Sequence, residues 1–316
     1  MSPAPIVSFV VIAHNEQAGI ERALRSILAQ PADWSREVIV VDDGSEDATA
    51  DRVAAVAADH PELRLIRLDR NLGRGSARAT GIAEAAGRYI ATVDADIVLP
   101  PDWLARCLEA LADADAVAGI AVPDGDVTYL YARFGLEPKV RPHTTDVTGS
   151  NAVYRREIFD QIAFDPSLRE GEDVALSHAL RRQAARVLTV PGLVVRHEES
   201  KTLRQSIRWM FQSGRGAARQ FYRYREIRRP DLVFFGWVLV SGAGVLGVPR
   251  RPIARVAAPA LYLAIASGSH VSGAFVFRRA GARNFMGAVA VDGGMLTAYF
   301  AGRAFGALAV LMTKSA

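Results

Sequence analysis

The stretch YIATVDADIV, residues 89–98, is a run of β-forming residues that ends in two aspartates, Asp94 and Asp96. Successive residues of a strand point to opposite faces, so these two carboxylates share one side while Ala95 points away. Two carboxylates on one side of a strand end are suitable ligands for a hard cation such as Mg²⁺ or Mn²⁺. Solvated surface turns carry the same pattern, so the surrounding sequence is needed to choose between these two interpretations.

The sequence around this stretch alternates between apolar runs of strand length and segments with apolar residues at helical spacing. Residues 15–30 predict one such helix, with Asn15 as its N-cap and Pro31 beyond its end. Strands without polar alternation, separated by helices, indicate an α/β fold with a mostly parallel sheet covered on both faces. The predicted strands are residues 6–13, 37–41, 63–68, 89–93 and 116–122.

Polar residues follow each of the first four predicted strands. Ligands of α/β sheets bind beyond the carboxyl ends of the strands, and a sheet by itself does not require so many polar strand ends. The pattern therefore predicts a ligand site along this edge. The clusters are HNE, DDGS, DRNLGRG and DAD, in chain order.

The pattern is less regular after residue 123. Residues 148–159 predict a strand that enters a helix, and residues 169–183 predict a loop followed by a helix. Residues 185–197 predict two short strands around Pro191 and Gly192.

Charge divides the 316-residue chain into two parts. Residues 1–195 carry 20 basic and 29 acidic side chains, whereas residues 196–316 carry 18 basic and 5 acidic side chains. A basic part of this kind favours phosphate-rich surroundings, either nucleic acid or lipid headgroups. The single cysteine, Cys107, excludes an intramolecular disulfide and fits a reducing compartment.

The basic part contains long apolar runs. Residues 253–277 and 284–312 are long enough to span a membrane, and residues 232–248 are marginal. A buried helical second domain is the alternative interpretation. Because apolar runs rather than a folded basic module follow the basic segment, we do not expect a nucleic-acid partner.

Two further clusters bear on chemistry. Asp42 and Asp43 begin a turn, after which Ser45 or Asp47 could cap the next helix. The alternative is that one of the two aspartates accepts hydrogen bonds from a nucleobase or ribose. The arginines of residues 69–81 precede a helix, and arginines at a helix N-terminus suit a diphosphate. Neither a Walker pattern nor a G-x-G-x-x-G fingerprint is present, which argues against a P-loop NTPase and a classical dinucleotide site.

Glu172 and Asp173 stand at the entrance of a predicted helix, where acids either complement the helix dipole or supply a general base at a pocket. His197 closes the last predicted strand before the basic segment. A lone histidine of this kind is either structural or a metal ligand.

The order of these motifs resembles inverting glycosyltransferase family 2, which has the nucleotide-sugar-binding GT-A fold. The resemblance covers residues 6–210 and extends to membrane-attached exopolysaccharide transferases of the succinoglycan type. The motifs that carry it are VVIAHNE, VVDDGSEDAT, NLGRGSARATG, VDADI, TGSNAVYRREIF and GEDVAL. Two positions depart from the family pattern, with Ala13 in place of proline and Thr80 in place of asparagine.

The resemblance implies a role for each motif. The nucleotide would be contacted by Asn15, Glu16, Asp43, Arg78 and Asp94, and the divalent metal, Mg²⁺ or Mn²⁺, by Asp96, Asp94 and His197. Asp173 would be the general base and Glu172 a less favoured one. On the acceptor side, the resemblance implies Ser150 and Asn151, together with Arg208 and Trp209 of a Q-x-x-R-W motif that is typical of processive synthases.

The resemblance thus implies a metal-dependent enzyme that moves a sugar from a UDP- or GDP-sugar to a hydroxyl of a glycan or polyprenyl-linked acceptor. We expect a GT-A catalytic domain at residues 1–200, a basic interfacial segment at 201–230 and a membrane-associated helical region at 231–316. The catalytic domain would lie on the cytoplasmic side of the cell membrane. A non-catalytic GT-A-like membrane subunit of a glycan assembly complex is the alternative, and the retained carboxylates argue against it.

Overall fold

A computed structural model describes residues 6–31, 33–123, 136–138, 147, 149–197, 202–225, 227–247, 252–277 and 282–314. The chain forms two compact units. The first contains Met1–Gly125 and Val140–Glu199, and the second contains Asp126–Lys139 and Ser200–Ala316.

The first unit is an eight-stranded sheet with helices packed on it. Its strands are β1 (Val7–Ala13), β2 (Arg36–Asp42), β3 (Leu63–Arg67), β4 (Tyr89–Asp94), β5 (Ile97–Val98), β6 (Ala116–Pro123), β8 (Asn151–Arg155) and β9 (Val187–His197). Its helices are α1 (Ile20–Leu28), α2 (Thr49–Ala57), α3 (Arg74–Ala83), α4 (Trp103–Ala110) and α5 (Glu172–Arg182).

The strand order is β3-β2-β1-β4-β8-β6-β9-β5. The neighbouring strands β3, β2, β1 and β4 are parallel to one another, and β6 is parallel to β9. Strand β8 runs antiparallel to both β4 and β6, and β5 runs antiparallel to β9. The predicted α/β sheet is confirmed, and the sheet is mixed rather than parallel throughout because β8 is inserted in its middle.

The apolar runs form strands because both faces of the sheet are covered. Every residue of β1 is buried, and α1 packs its apolar stripe on the sheet. Phe9 of β1 lies against Trp103 of α4, with ring centroids 6.1 Å apart. The sheet is therefore a rigid support for the loops at its edges.

Two local predictions were wrong. Asn15 does not cap the first helix, because α1 begins at Ile20 after Gly19, and Asn15 has a positive φ of 58° in the preceding loop. Pro191 and Gly192 do not separate two strands, because β9 continues through them. The pairing of β6 with β9 shifts register between Ala118 and Ile120, and this irregularity accommodates the continuous strand.

The second unit is mainly helical. It contains α6 (Leu203–Tyr224), α7 (Arg229–Gly247), α8 (Pro252–Ala274) and α9 (Ala282–Lys314), with a small antiparallel sheet of β7 (Leu136–Pro138) and β10 (Phe275–Phe277). A side chain at Gly214 of α6 would collide with the backbone of Tyr299, and one at Gly302 of α9 would collide with that of Phe211. Glycine thus allows α6 and α9 to pack backbone against backbone.

One described helix segment, Asn284–Met312, is long and apolar enough to cross a membrane. The predicted run 253–277 contains an apolar helix that is shorter than the run itself. Its apolar helical part is Val256–Ser272, and its last three residues form β10 because they pair with β7. The apolar part of α7 is shorter still, Pro230–Gly242.

Candidate functional site

The carboxyl ends of β1, β2 and β4 lie side by side at one edge of the first unit. In the strand register, Asp42 stands beside Ala13 and Asp94 stands beside Ile12. The ladder continues one residue further, since the Asp43 amide donates to the Ala13 carbonyl at 2.8 Å. The sheet thereby brings the expected polar motifs to a common edge.

The loops after β1 and β2 are bonded to each other. The Asn15 amide donates to Ser45 Oγ at 2.9 Å, and Asn15 Oδ1 accepts the Glu46 amide at 2.9 Å. The Glu16 amide donates to Thr49 Oγ1 at 2.8 Å. Asn15 therefore holds the two loops together, while the side chain of Glu16 is partly exposed at the same edge.

Asp43 is buried and accepts two backbone hydrogen bonds. Its Oδ1 accepts the Leu72 amide at 2.7 Å, and its Oδ2 accepts the Gly73 amide at 2.8 Å. The next two amides are also bonded, since Arg74 donates to the Arg169 carbonyl at 3.3 Å and Gly75 to the Leu168 carbonyl at 3.1 Å. Two of the amides that begin α3 are therefore already bonded within the protein.

A cleft of about 610 Å³ lies beside this loop. The Arg67 side chain reaches from β3 to the Ser45 carbonyl, with Nη2 donating at 3.1 Å, and lies 3.4 Å from Asp42 Oδ2. Both polar and cationic groups thus face the opening. The lining residues are His14, Gly44, Ser45, Glu46, Arg67, Leu68, Asp69, Arg70 and Asn71.

Arg78 of α3 is fully buried between two carboxylates. Its Nη2 donates to Asp94 Oδ1 at 2.7 Å, and its Nε donates to Glu172 Oε1 at 3.2 Å. Burial alone would lower the pKa of Arg78, but the charges of Asp94 and Glu172 outweigh burial and raise the pKa. Arg78 is a permanent internal cation and is 1% exposed, so it does not present a free surface to a nucleotide.

Glu172 and Asp173 begin α5 after Gly171, which has a left-handed φ of 74°. Glu172 is buried, whereas Asp173 is partly exposed and its Oδ1 accepts the Val174 amide at 2.8 Å. Burial, and then the neighbouring charge of Glu172, raise the pKa of Asp173, against the opposing effect of Arg74. Of the two acids, Asp173 is the one with a side chain available to an incoming group.

Asp94 and Asp96 are both partly exposed at the end of β4, as the alternation of the strand predicts. Within the described residues, no cluster of three or more His, Cys, Asp or Glu side chains is assembled. The backbone of His197 pairs with Ile97, next to Asp96, and its side chain lies outside what the structure describes. Two oxygen-donor carboxylates fit a divalent cation that takes its remaining ligands from substrate phosphates and water.

The acceptor-side residues are divided between the two units. Asn151 is fully buried, and its Oδ1 accepts the Trp103 indole N–H at 2.8 Å, so the residue stabilises the interior. Ser150 is partly exposed in the turn before β8. Arg208 and Trp209 are exposed on α6, which belongs to the second unit.

Sequence reasoning missed two residues that pack around Arg78, Phe164 and Gly149, and a third, Arg169, that bonds the loop at Asn71. The Arg78 guanidinium lies 5.7 Å from the ring centroid of Phe164, and a side chain at Gly149 would come within 2.7–2.8 Å of the guanidinium. Arg169 donates from Nη1 to the Asn71 carbonyl at 3.0 Å and also bonds Asn71 Oδ1. The spacing of Arg74 and Arg78, four apart on one helix face, was the available signal for a shared partner.

Comparison with known proteins identifies the first unit. Residues 8–163 match the family model described as Glycosyl transferase family 2. The chain carries a glycosyl transferase family 2 domain. The match begins in β1 and extends past β8, so it includes Asp43, Asp94 and Asp96 but not Asp173.

Two relatives share substantial sequence identity with part of this chain. The Succinoglycan biosynthesis protein ExoO of Rhizobium meliloti is 43% identical over 194 residues, which are 54% of this chain and 54% of that protein. An Undecaprenyl-phosphate 4-deoxy-4-formamido-L-arabinose transferase of Pseudomonas aeruginosa is 35% identical over 124 residues, which are 38% of this chain and 37% of that protein. The match thus spans about half of the first relative and less of the second.

A solved structure shares the fold. The mannosyltransferase PcManGT of Pyrobaculum calidifontis, in complex with GDP-Man and Mn²⁺, has a TM-score of 0.63 and 22% identity, covering 97% of this chain and 88% of that chain. The GT-A fold expected from the sequence is confirmed. At the level of the family, the expected enzyme class is confirmed as well.

Proposed function

We propose that this chain transfers a sugar from a nucleoside-diphosphate donor to a hydroxyl group, in polysaccharide or lipid-linked sugar biosynthesis. One observation carries the proposal: buried Arg78 joins Asp94 at the strand edge to Glu172, the neighbour of Asp173. A donor-side carboxylate and a candidate base therefore belong to one bonded network. The family 2 domain and the transferases that resemble it support the same reaction class.

The donor nucleotide occupies the edge formed by the loops after β1, β2 and β3. The cleft between His14, Ser45 and Arg70 accepts the base or ribose, and Glu16 supplies a partly exposed carboxylate beside it. Asp43 contributes indirectly, because its carboxylate holds the loop of Leu72 and Gly73 that borders this cleft. The donor is a UDP- or GDP-sugar.

Asp94 and Asp96 hold the divalent cation, with His197 as the proposed third protein ligand. When bound, the cation stabilises the negative charge that develops on the departing nucleoside diphosphate. The partly exposed Asp94 retains a second oxygen for the ribose or the cation, since Arg78 bonds only Oδ1. Asp96 lies two residues further along the chain, and the family pattern assigns it to the metal.

Asp173 takes the proton from the acceptor hydroxyl. A raised pKa makes the carboxylate a stronger base, and its burial beside Glu172 has this effect. Attack by the activated hydroxyl on the anomeric carbon, opposite the leaving diphosphate, inverts the configuration at that carbon. A single base and no covalent intermediate are sufficient for this reaction.

The second unit attaches the enzyme to a membrane on the cytoplasmic side, and the acceptor is a glycan or polyprenyl-linked sugar. Helix α6 exposes arginines that attract anionic headgroups, and the helices after it expose large apolar side chains. The exposed arginines are Arg204, Arg208, Arg219 and Arg223. The exposed apolar residues include Leu232, Leu239, Leu261, Ile265, Leu308 and Met312.

A thermal-shift screen with nucleotide sugars, with and without Mn²⁺, tests the proposal. A ligand that binds only the folded state raises the melting temperature by mass action. We expect a Mn²⁺-dependent shift with UDP- or GDP-sugars, followed by release of the nucleoside diphosphate in purified membranes and loss of release in EDTA. Binding without any release, across donors and lipid-linked acceptors, would favour the non-catalytic subunit instead.

A further inference from the structure

Four side chains of alternating charge form a row from the surface of α3 to the strand edge, and we refer to them as the Arg78 network. Arg74 Nε lies 3.7 Å from Glu172 Oε2, Arg78 Nε lies 3.2 Å from Glu172 Oε1, and Arg78 Nη2 lies 2.7 Å from Asp94 Oδ1. The side chains of Glu172 and Arg78 are 2% and 1% exposed, whereas that of Asp94 is 20% exposed. Of the two carboxylates in the network, Asp94 at the edge is the one that is open to a ligand.

Packing fixes the guanidinium of Arg78 in one place. The Phe164 ring contacts one part of it, and the Gly149 backbone approaches so closely that a methyl group there would collide. Glu172 bonds its Nε, and Asp94 bonds its Nη2. Each neighbour comes from a different segment of the chain, so the network joins α3, β4 and the start of α5.

We propose that Glu172 is a positioning residue, which fixes Arg78 and through Arg78 holds the Asp94 carboxylate in the orientation that binds the donor. This inference rests on the proposed function of the edge as a nucleoside-diphosphate site. It separates the two neighbouring acids, because Glu172 serves the donor side while Asp173 serves the acceptor hydroxyl.

The geometry explains why Glu172 itself is not the base. Its Oε1 accepts from Arg78, and its Oε2 is buried beside Arg74 and has no hydrogen-bond partner among the described residues. An acceptor hydroxyl cannot reach a carboxylate that is 1% exposed without displacing this packing. Asp94, by contrast, keeps one oxygen free of Arg78 at the edge.

Loss of the Glu172 charge should change how Arg78 holds Asp94. Among the described residues, Arg78 then has Asp94 as its only carboxylate partner within hydrogen-bond distance. The guanidinium also loses the contact that holds its Nε end. A buried cation with a single partner draws that partner inward, because an unpaired buried charge is costly. Asp94 would be withdrawn from the edge, and donor affinity would fall.

The test measures binding of UDP and of GDP to the full-length protein in detergent by calorimetry, with Mn²⁺ and with EDTA. The variants are Glu172→Gln, Asp94→Asn and the double variant, with Glu37→Gln as the matched control. Glu37 is a partly buried acid that accepts hydrogen bonds from Ser8 and Ala86 at the opposite end of β2.

We expect Glu172→Gln to weaken binding of the nucleoside diphosphate at least ten-fold, and Glu37→Gln to leave it unchanged. In the Asp94→Asn background, Glu172→Gln should cause little further loss, because the effect passes through Asp94. Wild-type affinity in Glu172→Gln, or losses that add in full, would overturn the inference while leaving the proposed function intact. Failure of the wild-type protein to bind either nucleotide would overturn both.

A second variant covers the case in which Glu172→Gln does not fold. Replacing both members of the buried pair, Arg78→Met with Glu172→Met, removes both charges and keeps the volume filled, which is often tolerated. A folded double variant should still lack nucleotide affinity, because Asp94 has lost Arg78. Nucleotide affinity equal to that of the wild-type protein would show that the pair is purely structural and would overturn the inference.

Discussion

The Asp43 carboxylate and the Gly73 backbone amide are joined by a hydrogen bond of 2.8 Å across 30 residues of sequence. The other oxygen of Asp43 accepts the Leu72 amide. An aspartate that the family pattern assigns to the nucleotide thus also determines the shape of the loop beside the cleft that we propose for the nucleotide. Its carboxylate satisfies two amides that would otherwise lack acceptors in a buried setting.

Asp43→Asn should weaken this loop and the donor site together. The amide side chain has one acceptor oxygen, and its NH₂ group faces the second backbone amide. Hydrogen bonds to charged groups contribute about 1.5–3 kcal/mol each, so we expect a lower melting temperature and a higher KM for the donor. Thermal unfolding and initial rates measure the two effects.

Asp115→Asn is the control for this change. Asp115 Oδ2 accepts the Arg186 amide at 2.8 Å at the amino end of β6, away from the candidate site. Its replacement should lower stability without changing the donor KM. An unchanged donor KM in Asp43→Asn as well would mean that the loop does not shape the donor site.

Gly73→Ala should disturb the segment that carries the candidate base. Gly73 has φ 100°, and a Cβ there would lie 2.5 Å from the Cα of Arg169. Strained backbone of this kind costs about 1–3 kcal/mol, and the collision pushes against residues just before Glu172 and Asp173. We therefore expect kcat to fall along with stability, as measured by steady-state rates and thermal unfolding.

Gly268→Ala is the matched control, because nothing lies within 4 Å of a Cβ at that position in α8. Alanine favours a helix more than glycine does, so kcat and stability should be retained. If Gly73→Ala retains kcat and stability as Gly268→Ala does, the Gly73 loop does not support the candidate base as described.

The pH dependence of kcat should respond in opposite directions to the two neighbours of Asp173. Glu172 raises the pKa of Asp173, and Arg74 lowers it. Glu172→Gln should therefore move the acid limb of the kcat profile to lower pH, and Arg74→Gln should move it to higher pH. Identical acid limbs in all three proteins, at saturating donor, would exclude Asp173 as the titrating base.

In the second unit, Asp231 and Arg303 form a buried ion pair that joins α7 to α9. The Arg303 guanidinium lies 5.2 Å from the ring centroid of Phe234 and 5.7 Å from that of Phe221. Arg303→Met should destabilise the detergent-solubilised protein by up to about 3–5 kcal/mol, because the buried Asp231 carboxylate loses this cation and retains Arg228, whose Nε lies 3.7 Å away. Thermal unfolding measures the loss.

Adding Asp231→Leu to Arg303→Met should recover part of that stability, since the buried carboxylate that lost Arg303 is then removed. The exposed pair Glu21 and Arg25 is the control, and Arg25→Ala should have no detectable effect in the same assay. A double variant no more stable than Arg303→Met would contradict the view that the buried Asp231 charge causes the loss.

The sequence was sufficient to predict the strands that are marked by a local run of apolar residues. The apolar runs gave the strands at 6–13, 37–41 and 89–93 to within a residue or two, and the motif order identified the fold. It was not sufficient for β8, because strand direction within a mixed sheet depends on distant pairing. It also misplaced Asn15, since the Ser45 and Glu46 partners that fix this residue lie about 30 residues away.

At the site, the buried position of Arg78 also could not be predicted from the sequence. Its basic side chain suggested contact with the diphosphate, yet its partners Asp94 and Glu172 are 16 and 94 residues away. Spacing alone does not reveal that an arginine is enclosed by Phe164, Gly149 and two acids. The motifs thus located the edge of the site, while the division of roles among its charged residues required the structure.

We propose above all that Asp173, which lies beyond the residues that match the family model, is the base in sugar transfer. Burial raises the pKa of Asp173, so ionisation of this residue at neutral pH costs folding stability that is regained as pH falls through the folded pKa. Asp173→Asn should therefore melt at the same or a higher temperature than the wild-type protein at pH 7. It should also bind the nucleoside diphosphate normally.

The most direct measurement is the rate of nucleoside diphosphate release from the donor, with acceptor and Mn²⁺ in purified membranes, for the wild-type protein and Asp173→Asn. General-base catalysis contributes about 10²–10⁴ in rate, so the rate in the folded, nucleotide-binding variant should fall at least about 100-fold. Release at the wild-type rate by Asp173→Asn would contradict the account.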